Sequence, residues 1–202
     1  IGMGPTPKTY FAHYNLNTNA AIMVTGSHNP SEYNGFKMVL NKHSFFAENI
    51  QLLQKLVDDP NLSFSEGTYK EVDLNNDYIN RNLKNIILNK KLKIAWDIGN
   101  GAMGVVIDSF TTLLSNSDHI VINKEVDGTF PNHHPDPTVP KNMLQLIESV
   151  KQNNCDIGIA FDGDGDRLGV VDNLGNIIWA DQYMLLLAKE ISAIYDNPKI
   201  IM

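Results

Sequence analysis

The sequence predicts an α/β fold with a largely parallel sheet. From Leu92 onward, short apolar runs alternate with segments of helical periodicity, the pattern of strand–helix–strand units. Glycine-rich turns follow two of these apolar runs, at Gly99 to Gly104 and at Gly163 to Gly165. The 202 residues are 43% apolar and 19% charged, enough for one large domain or two small ones.

Taken in order, "NAAIMVT" (19–25) reads as a short buried strand, and "NGFKMVL" (34–40) as a second that bends at Asn34-Gly35. Residues 45–58 carry Ile50, Leu53 and Val57 at helical spacing, and Asp58-Asp59-Pro60-Asn61 ends that helix. A second helical pattern covers 75–88, with Tyr78, Ile79, Leu83 and Ile86 on its apolar side. "NKKLK" then forms a solvated basic connection, a domain boundary. Beyond it come strand 92–97, the glycine turn, a helix, a further strand and a proline-rich loop, 127–140. Helix 141–153, strand 156–161, a hairpin turning at 173–176, helix 181–195 and a strand start at 199–202 complete the chain.

Composition excludes several classes. The net charge is −7 and only Arg81 and Arg167 are arginines, so the basic face of a nucleic-acid binder is missing. Cys155 is the single cysteine, which rules out an internal disulfide and fits a reducing cytoplasm. No apolar run nears the roughly 20 residues that cross a bilayer, and no signal-peptide pattern is present. The start at Ile1 and the stop at "PKIIM" read as internal cuts, so a fragment of a longer protein is expected.

"FDGDGDRLG" (161–169) carries the strongest chemistry. Asp162, Asp164 and Asp166 are spaced by glycines that let the backbone curl and the carboxylates converge. Three converging like charges call for a cation, and oxygen-only donors select Mg²⁺ or Ca²⁺ over zinc. An EF-hand does not fit: its sixth position would be Arg167 and its twelfth Asn173. Arg167 serves either as salt-bridge partner to the carboxylates or as an anion contact.

"VTGSHNPSEYNGFK" (24–37) places Ser27, His28 and Lys37 around one strand end. Alone it is a polar turn, and His28 an ordinary turn histidine. Joined to the carboxylate loop, Ser27 becomes a phosphoryl carrier that a shared metal ion would activate. Gly99-Asn100-Gly101-Ala102-Met103-Gly104 matches G-x-G-x-x-G after a strand, and Glu125 lies near the end of the next one. A nicotinamide-dependent oxidoreductase is therefore the rival reading, with a metal-binding piece lacking catalysis as a third. Asp97 just before the loop opposes a pyrophosphate, and a tight turn needs glycines for geometry alone.

"TGSHNPSEYNGFK" and "FDGDGDRLG" resemble the active-site serine loop and metal loop of the α-D-phosphohexomutases, the phosphoglucomutase/phosphomannomutase family. "GPTP", "DIGNGAMG", "PNHHPDPTVPKNM" and "IIWADQYMLLLAKEI" resemble further family segments in the expected order. The resemblance implies consecutive three-layer α/β/α domains with mixed, largely parallel sheets: 1–88 a partial first domain, 89–178 the second, 179–202 the start of a third. It implies a phosphoserine at Ser27, Mg²⁺ held by Ser27, Asp162, Asp164 and Asp166, Lys37 and His28 in acid/base roles, and Arg167 as an active-site cation. The implied activity interconverts hexose 1-phosphate and hexose 6-phosphate, of mannose or glucose, through a hexose 1,6-bisphosphate that also serves as activator. Gly26 resembles the phosphomannomutase/phosphoglucomutase branch rather than the phosphoglucosamine one. Family motifs for choosing and anchoring the sugar are not found in these residues, so little activity is expected of them alone.

Overall fold

The computed structural model describes residues 1–57 and 59–200. Asp58 of the expected helix stop, and residues 201–202 of the expected final strand, lie outside them.

The first sheet contains β1 (Ala20–Val24), β2 (Phe36–Leu40) and β3 (His43–Phe45), all antiparallel in the order β1-β2-β3. β3 was not expected. It arises because Asn41 and Lys42 both adopt positive φ (50° and 66°), the backbone of a two-residue hairpin turn. Helix α1 (Thr6–Asn15) packs on β1, and Thr9 Oγ1 reaches Met23 Sδ at 3.4 Å. β1 is not the buried strand expected: its burial alternates, and Ile22, 60% exposed, lies across from Met38 on the face opposite α1. A run of apolar residues without polar alternation cannot show whether one face or two are covered. Helix α2 (Glu48–Val57) has the expected periodicity but buries no residue.

The second sheet has the order β5-β4-β6-β7-β8. β4 (Leu92–Asp97) is central and pairs in parallel with β5 (Ser117–Ile122) and β6 (Ile157–Phe161). β7 (Leu168–Asp172) and β8 (Ile177–Ile178) add antiparallel hairpins, so the sheet is mixed and its parallel part is confined to β4 and its two neighbours. Alternate residues of β4 feed two cores. Ile94 and Trp96 join Ile98, Met103, Val106 and Ile107 on one face, where Ile79 of α3 (Asn75–Leu83) is fully buried. Ala95 joins Met143, Leu146, Val150, Cys155, Ala160 and Val171 on the other. These are the two outer layers of an α/β/α unit, with α4 (Ile107–Leu113) on the first face and α5 (Leu144–Asn153) on the second.

α5 lies close on β6. A Cβ at Gly158 would meet Val150 Cγ2 at 2.6 Å, so only glycine fits there. The helix ends on Asn154, φ 51°, with the Cys155 amide returning to the Val150 carbonyl at 2.9 Å. α3 stops at Leu83, short of the expected residue 88, since nothing receives the next apolar pair: Ile87 is 83% exposed. The helix expected after the glycine loop begins as a 3-10 turn, Ala102–Val105. α6 (Ala180–Ile194) follows β8 and buries no residue. No helix among the described residues is long and apolar enough to cross a membrane.

Candidate active site

The carboxylate loop is the connection between β6 and β7, at the carboxyl ends of the parallel strands. That is where open α/β sheets present their ligands. Asp162 Oδ1 accepts the backbone N–H of Asp166 and of Arg167, both at 3.0 Å, which curls the loop. Asp162 and Asp164 are buried, and one oxygen of each of Asp162, Asp164 and Asp166 lies within 4.8 Å of the others.

The serine loop arrives from the first sheet. Ser27 has φ 54°, and its amide donates to Thr25 Oγ1 at 2.7 Å, so a tight turn aims its hydroxyl at the carboxylates. Ser27 Oγ donates toward Asp162 Oδ2 at 3.0 Å and Asp164 Oδ1 at 3.2 Å. Arg167 Nη2 donates to the same oxygen at 3.3 Å, and His28 Nδ1 also lies 3.3 Å from it. Lys37, on β2, donates to Asp164 at 2.6 Å and to Asp166 at 2.5 Å. All seven residues singled out from the sequence therefore meet in one place.

Electrostatics explain the arrangement. Burial pushes the Asp162 carboxyl above its ordinary value, and the Asp164 and Asp166 charges add to it. Burial acts on Asp164 in the same sense, but hydrogen bonds from Lys37 and Thr6 outweigh it and hold that carboxyl low. For Lys37, burial pulls the ammonium down and the two carboxylates overcome it, leaving it raised and protonated. The residues fit a hard divalent cation: an oxygen from each of three aspartates converges, the Ser27 hydroxyl lies beside two of them, and an ammonium already bridges Asp164 and Asp166.

Sequence reasoning missed several supports. Thr6 Oγ1 donates to Asp164 Oδ2 at 2.6 Å, and the Thr6 amide to the Asp164 carbonyl at 2.8 Å, across 158 positions of sequence. "GPTP" contained this residue, but no local pattern ties it to an aspartate so far away. Gly163 packs its α-carbon on the Ser27 carbonyl, and its own carbonyl accepts the Ala102 amide at 2.9 Å.

That last contact also disposes of the glycine loop as a pyrophosphate cradle. A Cβ at Gly101 would meet the Gly163 carbonyl at 2.6 Å, so the close approach the glycine allows is to the metal loop. The Ala102 amide, where a helix-opening phosphate contact would form, is already used.

Asp97 is fully buried beneath the same loop. It accepts the Gly99 amide at 3.0 Å and Asn123 Nδ2 at 2.9 Å, and His133 Nε2 lies 2.9 Å from its second oxygen. His133 Nδ1 is 2.9 Å from the His134 carbonyl. A carboxylate and a carbonyl can only accept, so the site favours the imidazolium form of His133, in which both ring nitrogens donate. Burial lowers its pKa, but Asp97 and the carbonyl raise it on balance above 6.5. A raised histidine contributes stability that is complete below 6.5 and lost as pH climbs through the folded-state value. Thermal melts between about pH 5.5 and 9 should show a falling midpoint that flattens in His133→Gln; an equal slope in both proteins would remove His133 as the cause.

Residues 1–59 match the family's domain I, described as "Phosphoglucomutase/phosphomannomutase, alpha/beta/alpha domain I", and residues 76–175 match its domain II. The chain belongs to the phosphoglucomutase/phosphomannomutase family. A phosphomannomutase/phosphoglucomutase of Pseudomonas putida is 43% identical over 191 residues, 95% of this chain and 41% of that protein. A phosphoglucomutase of Neisseria meningitidis is 42% identical over 193 residues, again 95% of this chain and 42% of the relative. A crystal structure of a family member from Burkholderia thailandensis superposes with a TM-score of 0.89 at 39% identity, covering 96% of this chain and 44% of that one. The chain thus spans about two fifths of the length of the curated relatives it matches.

Proposed function

We propose that this chain carries the phosphoserine loop and metal loop of a mutase that interconverts hexose 1-phosphate and hexose 6-phosphate of mannose or glucose. Residues 1–88 would be its partial first domain, 89–178 the second, and 179–202 the opening of a third. The observation that carries the reading is the Ser27 hydroxyl, set against two buried carboxylates and the Arg167 guanidinium from the other sheet. The relatives' names, phosphomannomutase and phosphoglucomutase, point to the same substrates.

Ser27, Asp162, Asp164 and Asp166 would hold Mg²⁺, which when bound draws charge from a phosphoryl group. With Ser27 phosphorylated, a sugar hydroxyl attacks phosphorus and gives up its proton, the bond from phosphorus to the sugar oxygen forms, the bond to Ser27 Oγ breaks, and that oxygen takes up a proton to become the serine hydroxyl. The product is a hexose bisphosphate, whose other phosphate returns to Ser27 by the same step reversed. Lys37, kept protonated by its carboxylates, is fitted to supply a proton to an oxygen that gains charge. His28 Nδ1, 3.3 Å from Ser27 Oγ, is placed to hold a proton at that atom. Arg167 balances charge where a phosphate on Ser27 adds about −1.5 to −2.

Incubation with glucose 1,6-bisphosphate and Mg²⁺, followed by peptide mass spectrometry across residues 24–37, tests this directly. Phosphate on Ser27 is expected. Its absence there, or phosphate on another hydroxyl of that peptide, would overturn the carrier assignment. Multiple turnover of hexose phosphate by these 202 residues alone is expected to be very low.

A further inference from the structure

We infer that His134, on the proline-rich loop beneath the second sheet's carboxyl edge, is a positioning residue for His28. The inference rests on the mutase reading above and adds a residue to it.

The ring of His134 meets the ring of His28 edge-on, with centroids 6.2 Å apart and planes at 76°. Edge-to-face geometry at that separation is the favourable arrangement of an aromatic pair. The two residues lie on loops that follow strands of different sheets, so the contact forms only when the serine loop and the proline-rich loop are docked. His28 Nδ1 also lies 3.3 Å from Ser27 Oγ. The His134 contact therefore restrains rotation of the ring that faces the reacting oxygen.

His134 is itself held from both sides. Its carbonyl accepts His133 Nδ1 at 2.9 Å and the Asp136 amide at 2.9 Å. His133 is locked in turn by Asp97, buried at the end of β4, so the central strand fixes the loop. Next along, Asp136 receives the amide and hydroxyl of Thr138 at 3.0 and 2.7 Å. Burial pushes the Asp136 carboxyl up, but those bonds and the nearby His28 and Arg167 hold it low. The loop thus brings a ring edge against His28.

The test uses the 202-residue chain with ¹⁵N-labelled histidine, glucose 1,6-bisphosphate and Mg²⁺. His134→Ala should slow initial phosphorylation of Ser27 by about two- to tenfold, the worth of one aromatic pair, and lower the melting midpoint by no more than a few degrees. His134→Phe, which keeps an aromatic edge and has no titrating nitrogen, should restore the rate. The His28 ring resonances should shift or broaden in His134→Ala and not in His134→Phe. Unmoved His28 resonances in His134→Ala would overturn the inference, as would equal loss in both variants, which would mean an imidazole function instead of positioning. If the unaltered chain takes no phosphate on Ser27, the mutase reading fails on its own terms. The His28 resonances then still decide whether His134 holds that ring.

Discussion

Gly163→Ala is expected to reduce phosphoryl loading of Ser27 by at least about 100-fold while leaving both sheets folded. A Cβ at Gly163 would sit on the Ser27 carbonyl oxygen, closer than real Cβ atoms come to anything. The obstacle is backbone and cannot rotate away. Neither side of the contact is free to yield. The Gly163 carbonyl is tied to the Ala102 amide, and Ser27 is held by Thr25 Oγ1, while the Thr25 amide is tied to the Gly35 carbonyl. The loops must separate by about an ångström, and misplacement on that scale is known to cost about two decades in rate. Circular dichroism close to that of the unaltered chain, together with lost labelling of Ser27, is the expected pair of results. Labelling at the original rate would mean that the serine loop docks on the metal loop less tightly than these contacts require.

That contact also shows where sequence reading stops. The carboxylate loop was legible because its chemistry is local: three aspartates at alternate positions, with glycines between, have few other uses. Ser27 and Lys37 were legible as a polar group at a strand end, and their meeting with the aspartates followed once one ion was asked to serve both loops. Gly163 gave no such signal, because the group it touches lies in another sheet. Thr6 and His134 were hidden for the same reason. Each acts through a partner more than 100 positions away, and neither residue type announces the role.

The fold divides the same way. Alternation gave the order of elements in the second sheet along the chain, but the central place of β4 came only from the pairing. The hairpins that make this sheet mixed came from the turn at Asp172 to Asn176 and from the metal loop itself, both of which reverse the chain. Burial of β1 and α2 was not legible. Their apolar pattern states that a face seeks cover and does not state that the cover is present. The glycine loop is the reverse case, where the pattern was present and the ligand was not implied. Its close approach is made to Gly163, so one spacing served a protein contact instead of a cofactor.

Asp164→Asn and Lys37→Met are expected to change magnesium affinity in opposite directions, and the pair separates a metal site from a self-contained ion cluster. Asp164 is buried and shares its oxygens among Ser27, Thr6 and Lys37. Asparagine keeps the shape and an acceptor for Thr6 but removes the charge that a hard cation needs. In the unaltered chain, Mg²⁺ at about 100 times its dissociation constant adds about 2.7 kcal/mol, a rise of about 5–10 °C in melting midpoint for a chain of this size. The rise should fall below about 1 °C in Asp164→Asn. Without metal, the two proteins should melt within a few degrees of each other, since losing the Lys37 ion pair is offset by relief of repulsion on Asp162. Lys37 is the cation that bridges Asp164 and Asp166, so it competes with any ion drawn to the same oxygens. Its removal should tighten magnesium binding by about tenfold and slow phosphoryl transfer, because the competitor and the proton donor are one group. Titration calorimetry reads the first effect and Ser27 labelling the second. Unchanged magnesium response in Asp164→Asn would assign the three aspartates to Lys37 and Arg167 as a structural ion cluster and remove the metal from the reaction.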